Sequence, residues 1–164
     1  MSTETNKSDS TTEETVVSKL MQRKYHISFA ESCTAGMCAA KLVNVASASA
    51  VFDAGIITYA NEAKVRYLNV SEKTIEQHGV VSENVAGEMA KGVAAAQKAE
   101  VGVGISGIAG PTGETETKPI GMVCFGFYIN GLLITETKYF GNPGRNIVRA
   151  LAAEYVFQRL DELL

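Results

Sequence analysis

Apolar positions in this chain alternate between helical and strand rhythms. Thr11 and Glu14 form a T-x-x-E capping box ahead of Val16, Val17, Leu20 and Met21, which predicts a first helix ending near Lys24. His26 to Ala30 reads as a short strand, and Glu31-Ser32-Cys33-Thr34 as a polar turn into a second helix over 34–46. Phe52 to Tyr59 is rich in apolar and β-branched residues and predicts a strand. Asn61 is placed to cap a short helix over 62–68, Ser71 caps another that stops before Gly79, and Ser82 opens an Ala-rich helix over 83–98. Val101 to Ile105 is a further strand, followed by a Gly-rich loop from Ser106 to Lys118. Two β-like runs, 120–129 and 132–140, flank Asn130-Gly131, the strongest short signal for a hairpin. Val148, Leu151, Tyr155 and Leu160 mark the inner face of a last helix over 145–163.

Strands alternating with helices, then a hairpin, predict an α/β fold: a three-layer α/β/α structure with a mixed sheet that includes a C-terminal β-hairpin. Residues 1–10 have Met1 as their one large apolar residue and read as a disordered tail; 11–164 read as a single domain without internal repeats. In such folds ligands gather where the carboxyl ends of strands turn into helices.

Composition narrows the function classes. With 15 basic and 18 acidic residues the net charge is −3, a poor balance for gripping nucleic acid or an anionic membrane. Three cysteines do not make a secreted disulfide framework. The longest uncharged stretch, Pro119 to Thr135, is broken by Asn130-Gly131, and the acidic N-terminal residues do not resemble a signal peptide. A cytoplasmic location is the expectation.

Several constellations carry possible chemistry. Gly102 to Gly107 spells G-x-G-x-x-G, but the glycines lie inside a predicted strand and no helix opens on the last one, so a dinucleotide fingerprint is rejected. Ser106-Gly107-Ile108-Ala109-Gly110-Pro111 is either a backbone nest for an anion or a flexible connection. Arg145 and Arg149 stand one turn apart at the start of the last helix, where a cation is disfavoured unless it shares a bound anion with the helix dipole; a solvated basic face is the alternative. Lys64 lies near the start of its helix, where dipole and burial both lower a lysine pKa and make it a usable base for a serine. Ser47-Ala48-Ser49-Ala50 precedes the strand that leads to Tyr59 and Lys64. Cys33 reads as a small buried residue rather than a reactive thiol, and Cys33 and Cys38 lack the partners of a zinc site.

AESCTAG (Ala30–Gly36), ITYANEAK (Ile57–Lys64), GVVSE (Gly79–Glu83), ISGIAGP (Ile105–Pro111), KPIG (Lys118–Gly121) and Gly144-Arg145 with Arg149 occur in this order. Together they resemble the CinA C-terminal domain family, the nicotinamide-nucleotide amidohydrolases, over about residues 14–160. The resemblance implies hydrolysis of the carboxamide of nicotinamide mononucleotide to nicotinic acid mononucleotide and ammonia, in pyridine nucleotide salvage. It implies a Ser/Lys dyad with no metal and no cofactor. By position it puts the nucleophile on Ser49, the base on Lys64 and an assisting tyrosine on Tyr59. It further implies substrate contacts from Glu31, Ser32, Thr34, Ser106, Gly107, Ala109, Gly110 and Arg145, a small-molecule nucleotide as partner, and a homo-oligomer. The chain departs from the family at Ala35, where relatives often have glycine, and at Ser47, which replaces the glycine of a common G-S-S. Because some relatives are thought inactive, the alternative is a catalytically silent nucleotide-binding module linked to competence or DNA damage. The pyrophosphatase activity that many relatives carry on a larger N-terminal domain is not credited to this chain.

Overall fold

The structure, a computed structural model, describes residues 10–164; the expected N-terminal tail lies outside them apart from Ser10. Helix α1 (Thr12–Arg23) starts at the anticipated box. Thr11 Oγ1 accepts from the Glu14 N–H at 3.2 Å, and Glu14 Oε2 accepts from the Thr11 N–H at 2.8 Å. Strand β1 (Ile27–Glu31), helix α2 (Met37–Val43), strand β2 (Ile56–Ile57), helices α3 (Asn61–Leu68), α4 (Glu72–His78) and α5 (Glu83–Gln97), strand β3 (Val101–Gly107), hairpin β4 (Met122–Ile129) with β5 (Leu132–Tyr139), and helix α6 (Arg145–Leu163) follow.

The five strands form one mixed sheet in the order β2-β1-β3-β4-β5, parallel between β1 and its two neighbours and antiparallel in the other pairs. Alternation along β1 sorts the layers. Ile27 and Phe29 point into a core shared with Val16 and Leu20 of α1, Leu42 of α2 and Val156, Phe157 and Leu160 of α6. Ala30 faces the opposite side, against Leu68, Val85, Met89 and Val93 of α3 and α5. The fold is the three-layer α/β/α arrangement that the pattern predicts, and Asn130 and Gly131 both have the positive φ that a tight hairpin turn demands.

The glycines of the rejected dinucleotide motif have a packing role. A Cβ on Gly102 or Gly104 would overlap the carbonyl oxygens of Ala90 and Ala86, as would one on Gly126 with Ala86. Their absence lets α5 lie directly on β3 and β4.

Two elements differ from expectation. The second helix begins at Met37 rather than 34, because Ala35 (φ 47°) and Gly36 (φ 95°) take left-handed conformations that cannot continue a helix. The strand expected over 52–59 contracts to two residues. Phe52 pairs with Ile27 and Ile56 with Ala30, so the outer chain carries one residue more than β1 between them. The Ser28 hydroxyl donates to the Ala54 carbonyl at 2.7 Å inside that bulge.

Candidate active site

Parallel pairing places the carboxyl ends of β1, β2 and β3 side by side. Glu31 is in register with Ile57 and with Ile105, so Ser32 and Thr58-Tyr59, which leave the sheet, and Ser106, near the end of β3, stand at one level. They open onto a cleft of about 180 Å³ whose walls include Ser32, Tyr59, Asn61, Lys64, Val80, Val81, Ser106, Gly107, Ala109 and Arg145.

Lys64 is the centre of this cleft. It sits in the first turn of α3, whose N-cap is Ala60 rather than the expected Asn61, and is only 1% exposed. Its Nζ lies 3.0 Å from Ser32 Oγ, 2.7 Å from the Thr58 carbonyl oxygen and 3.5 Å from that of Tyr59. All three partners are neutral, and burial brings the Lys64 pKa down from 10.5 to about 8. A neutral amine has two hydrogens and one lone pair. With the hydrogens directed to the two carbonyls, the lone pair faces the Ser32 hydroxyl, the geometry of a base beside a nucleophile.

Ser49 is not brought to this place. It is exposed on a 3-10 turn (Ala48–Ala50), and the Val51 carbonyl just after it accepts from the Ile27 N–H at the amino end of β1. Ser32 follows the carboxyl end of the same strand, roughly 15 Å away at about 3.3 Å per residue. The serine facing Lys64 is therefore Ser32, which corrects the expected Ser49–Lys64 pair.

The turn carrying Ser32 is held from two sides. The Glu31 carboxylate, 1% exposed, accepts from the N–H groups of Gly36 and Cys38 (3.0 and 3.1 Å) through Oε2 and of Ala39 (3.0 Å) through Oε1. Glu31 thus satisfies the first turn of α2 from within the fold and does not line the cleft, which corrects its expected role as a substrate contact. Thr34 is likewise fully buried and does not line the cleft. On the other side, Arg149 Nε donates to the Cys33 carbonyl at 2.9 Å and its Nη2 to the Thr34 carbonyl at 3.3 Å. The Cys33 thiol lines the cleft, but burial pushes its pKa up to about 12, so it stays protonated.

Arg145 spans the mouth. Its Nη1 donates to the Gly110 carbonyl and its Nη2 to the Tyr59 hydroxyl, each at 2.7 Å, while Tyr59 remains 58% exposed. Ser106 lines the cleft with its hydroxyl donating to the Val80 carbonyl at 2.8 Å, and Gly107 and Ala109 line it as well. Gly110 contributes through Arg145 rather than as wall. Asn61, Val80 and Val81 also line the cleft, residues that the sequence marks only as a helix start and as parts of the ITYANEAK and GVVSE runs, because their place in it depends on tertiary packing. Among the described residues no group of three or more His, Cys, Asp or Glu stands where a metal ion could be held, and no helix is long and apolar enough to cross a membrane.

Residues 9–164 match the CinA C-terminal domain. The chain belongs to this family. It is 45% identical over 152 residues to a competence-damage inducible protein, so named, of Alkaliphilus oremlandii, covering 93% of this chain and 37% of the relative. It is 48% identical over 143 residues to a CinA-like protein of Kosmotoga olearia, covering 87% of this chain and 34% of that one. The chain thus spans little more than a third of the curated relatives it matches. Among crystal structures, the competence damage-inducible protein A of Klebsiella pneumoniae superposes with a TM-score of 0.87 at 33% identity, covering 93% of this chain and 96% of that one. A CinA superfamily protein from Escherichia coli superposes with a TM-score of 0.88 at 32% identity, covering 98% and 94%.

Proposed function

We propose that this CinA-family domain is an amidohydrolase that deamidates nicotinamide mononucleotide, with Ser32 as nucleophile and Lys64 as base. The observation that carries the reading is the 3.0 Å approach of a buried lysine, whose hydrogen-bond partners are all neutral, to a serine at the end of β1. Ser32 Oγ attacks the carboxamide carbon as its proton passes to Lys64, forming a tetrahedral intermediate. Lys64 returns that proton to the departing nitrogen, and ammonia leaves. Water then attacks the Ser32 ester, with Lys64 taking its proton and handing it back to Ser32 as the acid is released. In this reading the serine stands on a strand-to-helix turn, and the N–H of the following residue, Cys33, would be the donor to the oxyanion. Arg145 at the mouth is the cation suited to the substrate phosphate, exchanging its bond to the Tyr59 hydroxyl for bonds to phosphate oxygens.

The decisive experiment is ammonia release from nicotinamide mononucleotide by the purified protein, with and without a chelator. Release at an unchanged rate in the chelator is expected. No release, with the nucleotide still bound, would favour the silent binding module; a rate abolished by chelation and restored by zinc would overturn the Ser/Lys assignment.

A further inference from the structure

The segment joining α4 to α5 has four consecutive carbonyls, His78 to Val81, each accepting a side-chain hydrogen bond. Ser82 Oγ donates to Gly79 at 2.9 Å and Ser106 Oγ to Val80 at 2.8 Å. The Lys118 ammonium takes the outer two, donating to His78 and to Val81 at 2.6 Å each. Both of its partners are backbone carbonyls rather than carboxylates. Glycine at 79 (φ 77°) leaves room for this arrangement, since a Cβ there would stand 2.6 Å from Lys118 Nζ. Lys118 is itself fixed at its backbone, where its N–H donates to Thr115 Oγ1 at 3.1 Å and its carbonyl accepts from the Thr115 N–H at 2.9 Å.

Val80 and Val81 form one wall of the cleft, and Gly107 and Ala109, at the start of the loop that leads to Lys118, form another. The ammonium is therefore a strut that ties the Val80–Val81 wall to the turn that ends at Lys118, and the chain just beyond that turn is held to the other wall by the Gly121 N–H on the Ile108 carbonyl at 2.7 Å and the Ile108 N–H on the Met122 carbonyl at 2.9 Å. We propose that Lys118 is a positioning residue for substrate binding, holding the Val80–Val81 wall against the Gly107–Ala109 wall at the width the nucleotide requires. The role rests on the amidohydrolase reading of the cleft, but the strut itself does not depend on it. Lys118 does not reach the Ser32–Lys64 pair, so its loss should be felt in binding and not in proton transfer.

The test compares wild type with Lys118→Met, which keeps the stem and removes the donors, and Lys118→Arg, which keeps donors and charge. Steady-state kinetics with nicotinamide mononucleotide would be paired with amide hydrogen exchange over 79–86. Lys118→Met should raise KM roughly tenfold, keep kcat within about threefold and leave the pH profile of kcat unmoved. Exchange should quicken in 79–86 and nowhere in α1 or α6, and Lys118→Arg should recover most of both effects. Unchanged KM, an equal fall in kcat, or exchange that quickens throughout the molecule would each overturn the proposal. If wild type releases no ammonia, the amidohydrolase reading fails. The strut then stands or falls on exchange alone, where unchanged protection of 79–86 in Lys118→Met refutes it.

Discussion

Lys64 Nζ and Ser32 Oγ meet at 3.0 Å across the boundary between β1 and β2, with the lysine arriving from the helix that follows β2 and the serine from the turn that follows β1. Because the two strands are parallel and Glu31 is in register with Ile57, both chains leave the sheet at the same level. The pair is therefore a consequence of sheet topology, and α3 needs only one turn to bring the ammonium over the serine.

Substitution of the pair should show unit behaviour. Ser32→Ala and Lys64→Ala are each expected to lower kcat by about three orders of magnitude or more, with the double variant little worse than either single one. Ser49→Ala, at the far end of β1, should retain activity near that of wild type. Tyr59→Phe removes a hydroxyl bonded to Arg145 rather than to Lys64 and should be mild in kcat. An inactive Ser49→Ala alongside an active Ser32→Ala would reverse the assignment.

The burial of Lys64 has opposite consequences for activity and for stability. As the base of the proposed reaction Lys64 must be neutral, so kcat/KM should climb about tenfold per pH unit below its pKa and level off above about 8. The unfolded chain holds the same proton up to 10.5, so it binds more protons than the folded chain between about pH 8 and 10.5. Stability attributable to Lys64 therefore rises with pH across that window, and the full penalty is present below it. Lys64→Met should be inactive yet more stable at pH 7 by about 1 to 3 kcal/mol, the lost hydrogen bonds offsetting part of the gain. Denaturant unfolding of both proteins from pH 6 to 10.5 should show this difference closing toward the alkaline end.

Local signals in the sequence were strong where local chemistry decides the structure. The Thr11–Glu14 box and the Asn130-Gly131 turn each satisfy their own backbone within a few residues, and both appear as read. The site was harder because its geometry is non-local. Ser49 is nearer to Lys64 in the chain than Ser32 is, and only the β1–β2 pairing reveals that the nearer serine lies at the wrong end of the sheet. Glu31 was legible as a charged residue at a strand end, but its turning inward onto α2 depends on the left-handed Ala35 and Gly36, which no residue pattern announces. The Lys118 bonds to His78 and Val81 join two loops far apart in the chain and leave no periodic trace.

Glu31→Ala tests whether that residue is structural. Its carboxylate holds three backbone N–H groups in a site closed to water, so truncation leaves them unpaired and should destabilise the fold by about 2 to 4 kcal/mol. Thermal unfolding would register this with or without substrate present. A substrate contact would instead leave the melting temperature of the ligand-free protein near that of wild type and raise KM.

Arg145 and Arg149 lie one turn apart on α6, yet their contacts assign them different work. Arg145 holds the Gly110 carbonyl and the Tyr59 hydroxyl at the mouth, and in the proposed reaction it exchanges the phenol for the substrate phosphate. Arg145→Ala should raise KM for nicotinamide mononucleotide by roughly 10- to 100-fold and affect the dephosphorylated riboside much less, as expected for a charge-assisted bond of about 1.5–3 kcal/mol. Arg149 instead donates to the carbonyls of Cys33 and Thr34, fixing the peptide planes next to Ser32. Its loss should reduce kcat with both substrates alike and leave the ratio of their KM values unchanged. Arg149→Lys should not restore the rate, because a single ammonium lacks the planar fork that reaches two carbonyls at once. Kinetics of the two variants on the two substrates separate the roles. Equal effects of Arg145→Ala on nucleotide and riboside would remove the phosphate from its account, and a phosphate-dependent effect of Arg149→Ala would move the anion site one turn along the helix.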